Sequence, residues 1–332
     1  MFFSVIIPVY NRPDEVRDLL DSLLKQSAKN FEVVIVEDGS TVACRQQCEQ
    51  AQSQGLDVKY FYKDNEGRSI ARNYGMERAT GDYFVFFDSD CVIPPTYFAT
   101  VEKTLAQNPV DCYGGPDAAH ESFTTTQKAI NYTMTSFLTT GGIRGGKVAL
   151  EKFTPRTFNM GFSRAVYEKV GGFREMFSED IDMSKRIAGA GFTTTLIGDA
   201  PVWHKRRVDF RKFLRQVYVF GMSRITLKLL YPDSLKIVHT LPAIAVLVAE
   251  ALIVIGIIVS PWWFVPLGAY LVAVFALAWV STRSVVIAAK AVPAAVIQLG
   301  GYGVGFIRAY IIKILLRRGR DVNQEIEMRR GK

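Results

Sequence analysis

Residues 81–90 read GDYFVFFDSD, so that an apolar run at residues 83–87 ends directly in two carboxylates, Asp88 and Asp90. The run has the length and composition of a strand that is buried on both faces. Two carboxylates one residue apart can hold a hard divalent cation, which proteins usually bind with one or two carboxylates and substrate phosphates. The alternative is an ordinary Asp-containing turn at the end of a strand.

Apolar runs alternate with amphipathic stretches on the N-terminal side of this motif. Strands are predicted at residues 3–9, 31–36, 58–62 and 83–87, and helices near residues 13–27, 42–54 and 68–79. The short connections between them indicate an α/β fold, a doubly wound and mostly parallel sheet with helices on both faces. Such a sheet binds its ligands at the carboxyl ends of its strands.

Three of the predicted strands end in polar clusters. Residues 8–11 read PVYN after the first strand, residues 37–40 read EDGS after the second, and residues 88–90 read DSD after the fourth. Because the carboxyl ends of parallel strands meet at one edge of a sheet, we expect these clusters to lie close together. One such turn is unremarkable, but three at the same edge predict a binding site.

Residues 178–183 read SEDIDM and open a further predicted helix. Ser178 and the acidic residues suit a helix N-terminus, where they complement the macrodipole. Three carboxylates exceed what a cap needs, so one of them is a candidate general base for a hydroxyl group. Upstream, residues 114–158 are rich in Gly, Thr and Ser, which predicts an irregular lid beside the site.

Charge separates the chain into two parts. Residues 1–202 contain 21 Lys and Arg against 26 Asp and Glu, whereas residues 203–332 contain 19 against 6. A basic excess beside long apolar runs indicates anionic lipid headgroups or phosphates, and no nucleic-acid motif accompanies it. The four cysteines lack zinc-ligand spacing and are expected to be free thiols. The first residues lack the basic region of a secretory signal and are expected to form a buried strand.

The C-terminal part contains two runs that predict membrane spans. Residues 238–260 contain one acidic side chain, Glu250, and residues 262–280 contain no charge. Each run can cross about 30 Å of hydrocarbon. Pro261 and the two tryptophans that follow it predict a tight turn at the interface, so the runs form a hairpin. The alternative is a soluble helical hairpin.

A third apolar stretch, residues 291–307, contains four glycines and leads into the basic residues 308–320. A third span would leave Arg317, Arg318 and Arg320 outside, contrary to the positive-inside rule. We therefore expect a membrane-embedded re-entrant or interfacial segment at residues 291–316, with a third full span as the alternative.

Six short motifs follow one another along the chain. They are SVIIPVYN at residues 4–11, EVVIVEDGS at 32–40, ARNYG at 71–75, DSD at 88–90, NMG at 159–161 and ED at 179–180. In this order they resemble the family-2 glycosyltransferases of the GT-A fold, a likeness that covers roughly residues 1–225. The resemblance implies a nucleotide-binding α/β sandwich whose usual reaction is the inverting transfer of a sugar from a nucleotide diphosphate sugar.

The resemblance also implies roles for individual residues. The expected nucleotide contacts are Pro8, Tyr10, Asn11, Asp38, Arg72, Asn73 and Asp88. The expected contacts of the donor sugar or its diphosphate are Asn159, Arg215, Gln216 and Arg224. The expected ligands of a divalent metal, Mg2+ or Mn2+, are Asp90, Asp88 and His204. The expected catalytic residues are Asp180, as the general base, and its neighbour Glu179.

Some of these roles have structural alternatives. Arg72 is expected to pair with a phosphate or with Asp88, although a plain surface ion pair is also compatible with the sequence. A lone histidine such as His204 is often structural. The helix that carries Arg215 and Arg224 could simply rest on anionic lipid.

Together these expectations describe a membrane-anchored inverting hexosyltransferase of bacterial type, with UDP- or GDP-linked donors and a lipid-linked acceptor. The expected location is the cytoplasmic membrane, with several spans and the catalytic domain in the cytoplasm, in envelope or exopolysaccharide biosynthesis. The predicted division is a catalytic domain at residues 1–230, a membrane domain at 231–316 and a basic tail at 317–332. Two alternatives stay open, a processive polysaccharide synthase and a non-catalytic scaffold that binds nucleotide sugars. The sequence lacks the Gln-x-x-Arg-Trp signature of processive synthases.

Overall fold

The computed structural model describes residues 1–118, 123–141, 153–205 and 209–318. The chain divides into two compact units. Within the described residues, the first unit comprises residues 1–118 and 153–205, and the second comprises residues 123–141 and 209–318.

The first unit is built on a sheet of seven strands in the order β3-β2-β1-β4-β8-β6-β9. These strands are β1 (Phe3–Val9), β2 (Phe31–Asp38), β3 (Val58–Lys63), β4 (Tyr83–Phe86), β6 (Cys112–Gly114), β8 (Met160–Ser163) and β9 (Thr194–Leu196). Neighbouring strands are parallel except that β8 runs antiparallel to β4 and β6. The four strands predicted from the N-terminal half are confirmed, and so is the mostly parallel sheet.

Helices cover both faces of this sheet, as the alternating side chains of its strands require. Val5 and Ile7 lie in one apolar core, and Ile6 between them lies in the other. The helices of the first unit are α1 (Pro13–Leu24), α2 (Arg45–Ser53), α3 (Arg68–Met76), α4 (Tyr97–Gln107), α7 (Arg164–Val170) and α8 (Glu179–Gly189). Burial on both faces explains why the strands read as continuous apolar runs.

A small second sheet of three strands contains β5 (Cys91–Val92), β7 (Asp117–Ala118) and β10 (Val202–His204), with β10 in the middle. In the register of β10 with β5, His204 lies opposite Cys91. This pairing brings a histidine from late in the chain next to Asp90.

Gly161 in β8 packs closely against the ring of Tyr113, and its substitution tests how tightly this core is packed. A Cβ atom at this position would lie 2.3 Å from the ring of Tyr113, which is fully buried. We expect Gly161→Ala to lower the free energy of unfolding by about 1–3 kcal/mol, since overpacking forces a buried ring to shift. The midpoint of thermal unfolding in detergent measures the effect. Gly198→Ala is the matched control, because no atom lies within 4 Å of its added Cβ. Equal midpoints for the two variants would contradict the prediction.

The second unit is helical. It contains α5 (Thr125–Thr135), α6 (Phe137–Thr140), α9 (Phe210–Leu230), α10 (Ile237–Ile258), α11 (Val265–Thr282) and α12 (Val285–Ala309), with a π-helical extension at Tyr310–Leu315. Three segments of the described chain are long and apolar enough to cross a membrane, namely Ile237–Ile258, Pro261–Thr282 and Val285–Leu315. The first two match the predicted hairpin.

The third of these segments differs from its prediction. It is a single helical stretch of 31 residues, longer than residues 291–316, and it has the length and composition of a full span. Its glycines allow close helix packing. A Cβ at Gly303 would lie 2.5 Å from the carbonyl oxygen of Pro242, and one at Gly305 would lie 2.2 Å from that of Tyr218. By length and composition this stretch could form a third full span, and the choice between that alternative and a re-entrant segment stays a prediction.

The predicted irregular lid is wrong for residues 125–135 and 137–140, which form two helices. The Thr124 hydroxyl caps α5 by accepting a hydrogen bond from the backbone N–H of Gln127, and the Gln127 side-chain oxygen accepts one from the backbone N–H of Thr124. Helix α5 packs against α12, where Lys290 donates to the hydroxyls of Thr125 and Thr126 at 2.6 and 3.0 Å. The remainder of the predicted lid includes residues 119–122 and 142–152, which lie outside the described residues.

Candidate active site

The predicted polar clusters lie at one edge of the large sheet. Val9 pairs with Glu37, and Ile6 pairs with Phe86. The residues that follow β1, β2 and β4 therefore leave the sheet on the same side, as expected for parallel strands. This edge forms the candidate site.

Asp38, at the end of β2, is buried and forms hydrogen bonds within the fold. Its carboxylate accepts from Lys63 Nζ at 2.9 Å and from the backbone N–H groups of Glu66 and Gly67 at 3.0 and 2.8 Å. Burial alone would lower the pKa of Lys63, but hydrogen bonds to Glu66 and Asp38 outweigh it, so the pKa is raised. Asp38 thus fixes the loop between β3 and α3.

The loop after β1 is held against the loop after β2 by Asn11. The backbone of Asn11 has φ 53°, in the left-handed region, and its Oδ1 accepts from the N–H groups of Thr41 and Val42 at 2.9 Å. Pro8 is half-buried, whereas the ring of Tyr10 is 51% exposed. The ring is therefore accessible for stacking at the sheet edge.

A chain of ion pairs connects the Asp-x-Asp loop with the start of α8. Arg72 is 1% exposed and donates to Asp88 Oδ1 at 2.8 Å and to Glu179 Oε1 at 3.0 Å. Glu179 also accepts from Arg68 at 2.8 Å, and this partner raises the pKa of Arg68. The structure thus gives Arg72 the Asp88 partner that the sequence had left open. Arg72 and Glu179 are both buried, unlike the members of a plain surface ion pair, whereas Asp88 is one-third exposed.

Arg72→Met is expected to lower the free energy of unfolding by about 3–5 kcal/mol, because it removes the buried one of the two arginine partners of the buried Glu179. Adding Glu179→Gln should recover part of the loss, since the orphaned charge is removed. Thermal unfolding of the two variants measures this. Arg78→Met is the control, because Arg78 is 35% exposed and lies outside the ion-pair chain. If Arg72→Met unfolds at the same temperature as Arg78→Met or at a higher one, the prediction is wrong.

Asn73 and Asn159 bind the protein backbone. Asn73 donates to the carbonyl of Phe173 at 2.9 Å and accepts from its N–H at 2.7 Å. Asn159 is fully buried, accepts from the hydroxyl of Tyr97 at 2.7 Å and donates to the carbonyl of Ala200 at 2.9 Å. A direct contact of Asn159 with a ligand would require these bonds to break.

Asp90 is buried between two partners. One of its oxygens accepts from Arg12 Nη1 at 2.8 Å, and the other lies 3.1 Å from His204 Nε2. The His204 ring stacks on Phe158 with centroids 4.9 Å apart. Burial alone would lower the pKa of Arg12, but Asp90 outweighs it and the pKa is raised. The guanidinium therefore stays charged.

The donor set fits a hard divalent cation. Asp90 and His204 present an oxygen and a nitrogen at a separation suited to a common ion, with Cys91 Sγ also nearby. Burial raises the pKa of the Cys91 thiol well above its ordinary value, so the thiol stays protonated. Since Mg2+ and Mn2+ prefer oxygen ligands, Cys91 is a packing residue here. Asp88 is one-third exposed and lies two residues away in the same loop.

The carboxylates at the start of α8 differ in burial. Glu179 and Asp182 are 3% and 0% exposed and lie in ion pairs with arginines, whereas the Asp180 side chain is 18% exposed. Asp180 Oδ2 lies 3.4 Å from Arg156 Nη1. Ser178 precedes the helix with φ 64° and makes no side-chain cap. The acidic cluster is therefore more than a cap, and Asp180 is its accessible member.

A cavity of about 430 Å³ opens next to this network. It is lined by the first turn of α3, including Gly67 and Arg68, and by Met176 and Phe177 before α8. Arg68 is 56% exposed on its wall. The cavity is thus bordered by the Arg68 end of the ion-pair chain.

Arg215, Gln216 and Arg224 lie on α9 in the second unit. Arg215 is exposed and the other two are half-buried. The predicted catalytic domain, residues 1–230, included α9. In the structure this helix packs with α12 in the second unit. A diphosphate contact for these three residues stays a prediction.

Three arginines at the site were missed from the sequence. Arg12 directly follows the polar cluster after β1, and Arg68 lies four residues before Arg72, on the same face of α3. These two positions could have indicated from the sequence that Arg12 and Arg68 lie at the site. Arg156 belongs to the stretch that was expected to be irregular, and its proximity to Asp180 has no local signal.

Comparison with known proteins gives three findings. Residues 4–171, about half of the chain, match the family described as glycosyl transferase family 2. Glycosyltransferase AglE of Haloferax volcanii is 26% identical over 256 residues, which cover 72% of this chain and 78% of that protein. Glycosyltransferase GlyA of Streptococcus pneumoniae is 38% identical over 108 residues, and the match spans only 16% of its length.

Among solved structures, the mannosyltransferase PcManGT of Pyrobaculum calidifontis is similar, with a TM-score of 0.54 and 19% identity. The likeness covers 90% of this chain and 86% of that one. PcManGT was solved in complex with GDP-Man and Mn2+. At this identity the likeness concerns the fold.

Proposed function

Because the chain belongs to glycosyltransferase family 2 and has the GT-A fold, we propose that it transfers a hexose from a nucleotide diphosphate sugar to a lipid-linked acceptor, with inversion at the anomeric carbon. One observation carries this activity. The buried Arg72 joins Asp88 of the Asp-x-Asp loop to Glu179, the neighbour of Asp180, so one ion-pair network links the donor side and the base side.

The donor nucleotide lies at the carboxyl edge of β1, β2 and β4 in this proposal. The exposed ring of Tyr10 supplies a stacking surface for a uracil or guanine base. Asp38 shapes the base pocket by fixing the N-terminus of α3, and Asp88 reaches the ribose or the metal. Pro8 and Asn11 hold the loop that carries Tyr10, while Asn73 and Asn159 support the walls of the site.

Departure of the nucleoside diphosphate requires stabilisation of negative charge. Asp90 and His204, with Asp88 beside them, would hold Mg2+ or Mn2+, which neutralises charge on the leaving diphosphate when bound. Arg12 orients Asp90 by its hydrogen bond at 2.8 Å. His204 is held flat against Phe158, so its Nε2 stays directed at Asp90.

Asp180 serves as the general base. It takes the proton of the acceptor hydroxyl, whose oxygen forms a bond with the anomeric carbon. The bond from that carbon to the diphosphate oxygen breaks, and its electron pair leaves with the diphosphate. Glu179 cannot replace Asp180 without leaving Arg68 and Arg72. A single displacement with one base inverts the configuration.

A lipid-linked acceptor accounts for the second unit of the chain. Three candidate spans and the basic excess of residues 203–332 support attachment to a membrane with anionic lipids. An enzyme anchored in this way meets an acceptor in the same bilayer far more often than a free one does. We propose the cytoplasmic face of the inner membrane and an envelope or exopolysaccharide product.

The test is an assay of the purified full chain in detergent. A panel of UDP- and GDP-sugars is incubated with membrane lipid extract and either Mn2+ or a chelator, and released nucleoside diphosphate is measured. We expect release that needs one donor, the lipid fraction and the metal. Release that is equal with water-soluble acceptors would overturn the lipid acceptor. Nucleotide binding without release from any donor would overturn the activity.

A further inference from the structure

A groove of about 310 Å³ lies between α10 and the C-terminal part of α12 with its π-helical extension. Six of its eight lining side chains are aliphatic, and the other two are Glu250 and Arg308. Both helices belong to candidate membrane spans. One acid and one base therefore share a groove whose walls otherwise suit hydrocarbon.

Glu250 is the more unusual of the two. It is the single acidic residue of α10, a helix with a mean hydropathy of 2.7. Its side chain is exposed, and the described part of the chain places no basic group in ion-pair contact with it. Ionisable residues inside membrane spans are costly and normally face a partner. We therefore expect Glu250 to have a partner of opposite charge.

Arg308 is fixed at the opposite wall. Its Nη1 donates to the hydroxyl of Tyr218 on α9 at 2.8 Å. Tyr218 itself is held by close packing, because its carbonyl oxygen lies where a Cβ of Gly305 would be. The guanidinium is exposed and has five N–H donors, of which Tyr218 uses one. Its hydrogen bond directs it to Tyr218 on α9, it makes no ion pair with Glu250, and its other donors are accessible.

We propose that this groove is the interface with a second copy of the same chain, in which Glu250 of each copy pairs with Arg308 of the other. A two-fold contact needs a surface that carries both members of each pair, and this groove does. The aliphatic walls supply the packing that drives helix association in lipid. A hydrocarbon chain in the groove would leave both charges unpaired, and a lipid phosphate at Arg308 would meet Glu250.

The experiment uses charge reversal in two differently tagged full-length chains. Alone, Glu250→Arg puts two arginines in one groove, and Arg308→Glu puts two glutamates there. We expect each variant to lose self-association at least tenfold in co-purification and in energy transfer between labelled chains in nanodiscs. Co-expression of the two variants should restore association, because each two-fold contact then pairs opposite charges.

This rescue separates the interface from a pair within one chain. If Glu250 and Arg308 paired within one chain, mixing the variants would repair nothing. Lys313→Glu is the matched control, a charge reversal in the same helical segment that does not line the groove, and it should associate like the wild type. Single variants that associate normally, or a mixture without recovery, would overturn the interface. So would a monomeric wild type that retains phospholipid in a manner sensitive to Arg308→Glu.

Discussion

Asp180→Asn is expected to lower kcat about 10²–10⁴-fold, the contribution of a well-placed general base. The amide keeps the shape of the carboxylate and removes its capacity to take a proton. Asp180 is the accessible carboxylate of α8, with an 18% exposed side chain. Binding of the nucleoside diphosphate should stay close to that of the wild type, because the variant leaves the Asp-x-Asp loop unchanged. Steady-state kinetics and calorimetric nucleotide titration measure the two effects separately.

Asp182→Asn is the matched control for this variant. Asp182 lies on the same turn of α8 but is fully buried between Arg174 and Arg186 at 3.2 and 2.9 Å. Its loss should lower stability and leave kcat per folded molecule nearly intact. An Asp180→Asn enzyme that turns over at the wild-type rate would remove Asp180 from the base role. An equal loss of kcat in the two variants would indicate that both residues act by stabilising the fold.

The sheet edge could be predicted because its signal is local. Each parallel strand is an apolar run, and the register of a parallel sheet places the residues that follow β1, β2 and β4 on one side. The location of Asp38, Asp88 and Asp90 at one edge of the sheet was therefore predictable. The antiparallel strand β8 and the small sheet that brings His204 to Asp90 depend on pairings across long stretches of chain. No periodicity marks such pairings in advance.

The function of an individual polar side chain was harder to predict than its location. Arg72, Asn73 and Asn159 lie at the site, yet each forms hydrogen bonds with protein groups that are distant in sequence. A motif cannot distinguish a residue that touches a ligand from one that holds the wall behind it. The same limit applies to residues 125–140, where Thr-rich composition concealed two helices whose burial depends on α12.

Asp90→Asn is expected to lower kcat/KM about 10²–10³-fold at saturating Mn2+, because several kcal/mol of charge stabilisation on the leaving diphosphate are lost. The substitution removes the negative oxygen that lies 3.1 Å from His204 Nε2. It also removes the partner of Arg12, whose charge then opposes a nearby cation. We expect the Mn2+ concentration for half-maximal activity to rise together with the loss of rate.

Variants of the neighbouring side chains show whether Asp90→Asn loses activity through a metal site or through disturbed packing. His204→Ala should also raise the Mn2+ requirement, since it removes the second proposed ligand, but by less than the loss of a charged oxygen. Cys91→Ala should leave the requirement unchanged, because Mg2+ and Mn2+ prefer oxygen ligands to a thiol. A Cys91 variant with the metal dependence of the Asp90 variant would make the thiol a ligand. Full activity of Asp90→Asn in the presence of chelator would show that charge at the diphosphate is neutralised by protein side chains, with Arg12 the nearest candidate.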